Sequence, residues 1–418
     1  MHVPATTTRW VIAIIVAMSV PAIATADDHG RSQVESQPGA VPVIGGSNAP
    51  AGNWPDVAAV YDGSTGTDQQ VCSGTLIAPT VALTAGHCNE DGIVIDNILV
   101  GAISLAHPEA GEMLPVIQRI EYPQSQTSED VTVLVLGRAS TFAPRALATG
   151  WAYFDIVNSA AVSFVGYGAI DKNGDQFIDD LQEATSTITD FDCSTKPGCH
   201  PAAMPRGELG AGGMGVDTCP GDSGGPMYLV TDYGNFLAGV TSRSYSDATF
   251  ACSEGGIYER PDKIVDWIEQ QAGVPVARGP EPSADPLTIA AGNGGETVID
   301  ANDPKSGDHG FSIATPPAQG QAKVRDDGRL RVCVDPAATG TDTVVVTVTD
   351  SHASQRSLDL AIPIAITAGD ATTPCDVGAF SVGEDGGGCC DARRDATGAS
   401  VPLSIAVAAL LRRRRLAS

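Results

Sequence analysis

The chain has 418 residues, 42% of them hydrophobic, which is enough for two or three domains with sizeable cores and argues against disorder throughout. Its 50 acidic and 24 basic residues give a formal net charge of -26. Such a charge repels nucleic-acid phosphates and anionic lipid surfaces, so no nucleic-acid partner is expected; it favours solubility and, weakly, cationic partners.

The first element in chain order is an export signal. Arg9, an apolar run from Trp10 to Ile23 and the small residues Ala24-Thr25-Ala26 have the order of a secretory signal peptide over residues 1–26, with the mature chain starting at Asp27. The location expected is therefore secreted or cell-surface. In an oxidising compartment the ten cysteines read as disulfides rather than metal ligands or redox thiols, and no CxxC pair suggests zinc.

From Val43 to about Gly273, short apolar or alternating runs are divided by Gly, Pro, Asp and Asn, as in Val57 to Tyr61, Gly74 to Ala85, Val131 to Leu136 and Val162 to Tyr167. This pattern predicts an all-β barrel or sandwich. One helix is expected over Pro261 to Gln271, where Ile264, Val265, Trp267 and Ile268 form an apolar stripe that packs back on the barrel. The proline-rich segment Val276 to Pro286 lacks periodicity and reads as a semi-rigid linker.

A second β domain is predicted over residues 287–368, from strand-like runs at Leu330 to Val334, Thr343 to Thr349 and Leu358 to Ile366. An immunoglobulin-like sandwich is the simplest solution. Through Gly340-Thr341-Asp342-Thr343-Val344-Val345-Val346-Thr347-Val348-Thr349-Asp350 the segment resembles the cadherin-like or immunoglobulin-like repeats of bacterial surface proteins, and it reads as a spacer without a ligand of its own. Residues 369–388 form another linker.

The tail, 389–418, opens with Cys389-Cys390 and ends with an apolar run from Val401 to Leu411 followed by Arg412 to Arg415. The apolar run falls short of the roughly 20 residues that span a bilayer, but the arginines would hold its end at the cytoplasmic face. This order resembles the C-terminal sorting tails of exported myxobacterial proteins, which implies removal near the cysteine and retention at the cell surface.

The chemistry centres on Gly221-Asp222-Ser223-Gly224-Gly225-Pro226, where glycines let the backbone bend tightly around a serine hydroxyl. A serine nucleophile needs a histidine base, a carboxylate to orient it and donors for an oxyanion. His87, in Thr84-Ala85-Gly86-His87-Cys88, closes an apolar run, and Cys72 can pair with Cys88 to staple its loop. Asp130 opens the run from Val131 to Leu136, where a carboxylate can enter the edge of the core and accept from the imidazole.

These three segments, in the order His, Asp, Ser, resemble the trypsin and chymotrypsin serine peptidases over Val43 to about Gly273. The resemblance implies a double β-barrel, with His87 as general base and acid, Asp130 as its orienting partner, Ser223 as nucleophile and the N–H groups of Gly221 and Ser223 as the oxyanion hole. The chain would be a serine endopeptidase acting on proteins or peptides without a cofactor. Asp217 matches the carboxylate at the pocket floor of members that cleave after Arg or Lys; Gly256 matches a glycine that keeps the pocket open, and Ser242 the residue that binds extended substrate. Cys219 and Cys252 match the disulfide joining the pocket walls.

Departures from the family pattern are also visible. Arg243 stands where the family usually has an aromatic residue, and it would blunt selection for basic side chains if it swung toward Asp217. Val43-Ile44-Gly45-Gly46 resembles the mature N-terminus whose freed amine pairs with the carboxylate before the nucleophile, here Asp222, which makes residues 27–42 a propeptide and 43–275 the peptidase domain. Pro42 precedes that bond in place of Arg or Lys, so another, activating peptidase is expected. Two readings compete with an Arg- or Lys-directed peptidase: a catalytically silent binding or adhesion protein, and an active peptidase of other specificity.

Asp171, Asn173 and Asp175 alternate as at the start of a calcium loop, but Gln176 and Gln182 replace the turn glycine and the bidentate glutamate, so a solvated acidic loop is the favoured reading. Cys193 and Cys199 are close enough to close a small loop, although the family bridge there encloses more residues. Cys333 and Cys375 are candidates to join the second domain to the segment that follows, and the connectivity of Cys333, Cys375, Cys389 and Cys390 is left open.

Overall fold

A computed structural model of the chain describes residues 43–64, 69–90, 92–123, 130–200, 207–305, 307–353, 355–369 and 375–381. The expected signal peptide, propeptide and tail, with Pro42, Cys389 and Cys390, lie outside the described residues. Six antiparallel strands close the first barrel in the order Val57–Asp62, Gln69–Ala78, Val81–Thr84, Thr132–Leu136, Glu112–Glu121 and Ile95–Val100. The apolar run expected from Gly74 to Ala85 is two strands, because Pro79-Thr80 turns the chain and pairs Ala78 with Val81. Leu114 and Val116 show the period-two alternation by which one face of a strand enters the core.

The second barrel runs Ala161–Gly166, Gln182–Asp190, Glu208–Ala211, Gly256–Glu259, Gly234–Ser244 and Pro226–Thr231, and the last strand returns to the first. One apolar cluster joins the two barrels, with Trp54, Leu83 and Val133 from the first packed with Tyr228, Leu237 and Val240 from the second. Helix Val265–Ala272 follows a short 3-10 turn at Pro261–Lys263. Its buried Val265 and Ile268 join that cluster, and Trp267 sets its ring edge-on to Tyr122 of the first barrel at 4.7 Å.

Seven further strands form a sandwich: Leu287–Ala290, Ser357–Thr367, Gly340–Asp350 and His309–Thr315 in one sheet, Gly294–Val298, Arg329–Val334 and Gly320–Val324 in the other. Val344, Val346 and Val348 alternate into its core against Leu330 and Val332. The disulfide Cys333–Cys375 ties down the segment after the last strand. Residues 378–381 make a separate short turn, in which the Phe380 N–H donates to the Gly378 carbonyl at 3.1 Å.

Residues 276–280, the first part of the segment expected as a semi-rigid linker, are instead bonded to the barrel domain, and Ser283 pairs with Asp300 of the sandwich. The Ala277 N–H donates to Ile77 O (2.9 Å), the Leu147 N–H to Ala277 O (2.9 Å) and the Trp151 N–H to Pro280 O (2.8 Å). Trp151, fully buried, lies in the core of the sandwich, and its indole N–H donates to Ala301 O at 2.6 Å. Gly150 makes that approach feasible: its φ is +57° and a Cβ there would stand 2.1 Å from Pro280 O.

Candidate active site

The first barrel supplies His87 and Asp130. His87 starts a 3-10 turn directly after strand Val81–Thr84, and the disulfide Cys72–Cys88 fixes that turn to the neighbouring strand. Asp130, buried, sits just ahead of strand Thr132–Leu136, which pairs with Val81–Thr84. The register brings Thr84 opposite Thr132, so His87 and Asp130 leave adjacent strands side by side. His87 Nδ1 lies 2.8 Å from Asp130 Oδ2, and the His87 backbone N–H donates to Oδ1 at 2.8 Å.

A third donor reaches the same carboxylate: the Ser242 hydroxyl donates to Asp130 Oδ2 at 2.7 Å. Burial alone would raise the Asp130 pKa, but hydrogen bonds and the charge of His87, with the Ser242 donor, hold it below the ordinary carboxylate value. For His87, burial disfavours the imidazolium, while the hydrogen bond and charge of Asp130, with the charge of Glu90, outweigh it and raise the pKa.

Ser223 comes from the second barrel and meets the first through its backbone. Its carbonyl accepts from the Ser73 N–H at 2.9 Å. Gly224, at φ +78°, lets the loop press against the histidine segment, since a Cβ there would stand 2.1 Å from Thr84 Oγ1 and 2.5 Å from Ala85 N. Within the loop the Asp222 N–H donates to Cys219 O, the Gly224 N–H to Thr241 O and the Gly225 N–H to Asp222 O. Among the described residues, the N–H groups of Gly221 and Ser223 have no acceptor. Two unspent donors beside a serine hydroxyl are what a developing oxyanion would need.

Beside Ser223 lies a cavity of about 220 Å³, lined by Asp217, Thr218, Pro220, Ser242, Arg243 and Gly256 among others. Asp217 is 1% exposed and accepts from the N–H groups of Thr218 (2.9 Å), Ser253 (3.0 Å) and Gly255 (2.9 Å). Burial pushes its pKa up to about 6 against those donors, so it is largely ionised at neutral pH. The disulfide Cys219–Cys252 links the cavity's walls.

Arg243 does not swing to Asp217. Its guanidinium donates to both oxygens of Glu208 (2.8 and 2.9 Å) and to Gly198 O (2.9 Å), with Glu259 3.8 Å away. Glu208 and Glu259 were not legible as site residues. They are directly opposite across paired strands, and the only signal is a glutamate at the end of each short apolar stretch.

Asp222 is 1% exposed and accepts from the N–H groups of Gly168 (2.8 Å) and Cys219 (2.9 Å). Burial pushes its pKa up to about 7, and among the described residues no basic side chain pairs with it. Val43 is fully buried in the second barrel's core, and Ile44 packs beside Cys219 and Cys252. Asp171 accepts from the N–H groups of Asn173 (3.1 Å), Asp175 (2.8 Å) and Gln176 (2.8 Å), which ties the acidic loop to its own backbone. Cys193 and Cys199 are bonded in the small loop that presents Gly198 to Arg243.

Residues 43–268 match the family model described as Trypsin, and residues 274–362 match that described as Bacterial Ig domain. A trypsin of Saccharopolyspora erythraea is 32% identical over 238 residues, which cover 55% of this chain and 97% of that protein. Chymotrypsin-like elastase family member 3B of Macaca mulatta is 27% identical over 239 residues, covering 54% of this chain and 92% of the relative. Kallikrein-8 of Homo sapiens is 28% identical over 253 residues, or 59% and 90% of the two chains.

Proposed function

The chain belongs to the trypsin family of serine endopeptidases, and from that premise we propose that it is an exported member that cleaves peptide bonds after Arg or Lys. Ser223 attacks the scissile carbonyl while His87 takes its proton, and Asp130 holds the imidazole and stabilises the cation that forms. The N–H groups of Gly221 and Ser223 receive the oxyanion, His87 then protonates the leaving amine, and water releases the acyl group from Ser223 by the same steps. These steps call on no cofactor.

The observation that carries the specificity is Asp217, an ionised carboxylate on the wall of the cavity beside Ser223, with Arg243 occupied by Glu208 and Glu259. A buried carboxylate with three backbone donors still attracts a guanidinium or ammonium strongly, because little water screens it. Asp222 favours a precursor that stays silent until another peptidase frees the Val43 amine, since a fully buried carboxylate with two backbone donors still gains strongly from a cation beside it. The signal peptide and the arginine-ended tail support export followed by surface retention.

Peptides that differ only in the residue before the cleaved bond test this reading. Arg and Lys peptides should exceed Phe, Val and Ala peptides by about 100-fold or more in kcat/KM, and Asp217→Ser should remove about 10³-fold of the Arg and Lys rates. Equal turnover of Phe and Arg peptides would sink the specificity while leaving the peptidase assignment in place.

A further inference from the structure

We propose that Arg243 is a positioning residue of the proton relay, clamping the Ser242 hydroxyl onto Asp130 from a buried two-carboxylate anchor. The proposal rests on the reading of Ser223, His87 and Asp130 as the reacting groups, and it goes beyond that reading to residues that touch neither substrate nor nucleophile.

Four contacts carry it. One guanidinium nitrogen of Arg243, Nη1, donates to Ser242 Oγ at 3.1 Å, while that hydroxyl donates its single proton to Asp130 Oδ2 at 2.7 Å. With a lone pair held by Arg243, the hydroxyl keeps its proton aimed at Asp130. The other nitrogen, Nη2, reaches Glu208 and Gly198 O, so the clamp also ties down the Cys193–Cys199 loop. Glu208 has 0% side-chain exposure and also accepts from the His200 N–H at 2.7 Å, which leaves the Arg243 anchor little freedom.

Glu259 completes the anchor. It is 3% exposed in its side chain and stands directly opposite Glu208 across the paired strands. Burial and the neighbouring Glu208 push its pKa well up, which favours its neutral form beside the Arg243–Glu208 pair. The anchor is therefore close to neutral, and Arg243 acts on the relay mainly through Ser242. Of the charged groups that act on His87, Asp130 and Glu90 favour its cation and Arg243 opposes it. Losing the clamp therefore moves the His87 titration upward by two routes: Asp130 loses a steadied donor, and an opposing positive charge is gone.

The test is the labelling rate of the full activated chain by a fluorophosphonate from pH 4 to 9, which needs no knowledge of side-chain preference. Arg243→Met should move the acid midpoint up by about half a unit or more and lower the plateau rate about tenfold, with peptide turnover losing kcat rather than gaining KM. Ser242→Ala, which leaves the Arg243 charge in place, should produce a smaller shift in the same direction, and the double variant should shift no further than Arg243→Met. If Arg243→Met fails to fold, Arg243→Lys carries the test: it keeps the charge near Glu208 but cannot span both Ser242 and Gly198, and about half the shift is expected. An unmoved midpoint in the folded variant, or shifts that add in the double variant, would overturn the clamp. A wild-type chain that starts at Val43 and does not label would instead overturn the reading of the catalytic groups.

Discussion

The double barrel and the sandwich bury different kinds of side chain. Asp56, Asp130, Asp190, Glu208, Asp217, Asp222 and Glu259 are all under 9% exposed in the barrels, whereas among the described positions of the sandwich the buried acidic side chains are Asp303 and Asp350, both beside Arg356. The sandwich is held by alternating valines, isoleucines and leucines, which gain from burial wherever they point inward. Each buried carboxylate in the barrels must instead be compensated by particular donors, and such arrangements are kept where chemistry uses them. Stability is spread through one region, and desolvated charge is concentrated in the other.

The largest effect that would break this comparison is chemical. Ser223→Ala should lower peptide turnover about 10⁶-fold and leave the unfolding temperature of the full chain nearly unchanged. A comparable loss of stability would mean that the loop serves the fold as much as the reaction, and calorimetry beside active-site labelling separates the two.

Trp151→Ala comes second, at about 3–5 kcal/mol, because the indole fills the sandwich core and donates to Ala301 O. The wild-type barrels and sandwich should unfold in one calorimetric transition, which the substitution splits into two. Two transitions already present in the wild type would refute a shared core.

The third effect depends on pH and belongs to the charged region. Burial raises the Asp222 pKa from its ordinary value of 3.8 to about 7, so the folded state prefers the protonated acid. That stability is fully present below about pH 4 and is lost as pH rises through about 7. A precursor that still carries residues before Val43 should lose about 2–3 kcal/mol between pH 5 and 8, and Asp222→Asn should flatten that slope. Thermal melts of both chains across this range settle it: an unchanged slope in Asp222→Asn clears the carboxylate of any part.

The same division decides what can be read in one dimension. Val344, Val346 and Val348 announce a half-buried strand by local alternation, and His87, Asp130 and Ser223 lie in short segments whose composition points to a base, an orienting acid and a nucleophile. The anchor of Arg243 has no such local mark. Glu208 and Glu259 are 51 residues apart in sequence and become neighbours only through strand register, so their shared arginine could be assigned to the wrong carboxylate, Asp217. The linker was misread for a related reason: a proline-rich stretch without periodicity carries no sign of the strand edges that its N–H and C=O groups will find.

The bonded segment at 276–286 also sets the mechanics of the whole catalytic unit. A loose tether would let the cleft sweep a wide volume around its point of attachment at low local concentration. With Trp151 seated in the sandwich, the cleft instead keeps a constant bearing relative to strand Ser357–Thr367. A substrate therefore meets a cleft whose direction is set by the sandwich core and not by a swinging tether.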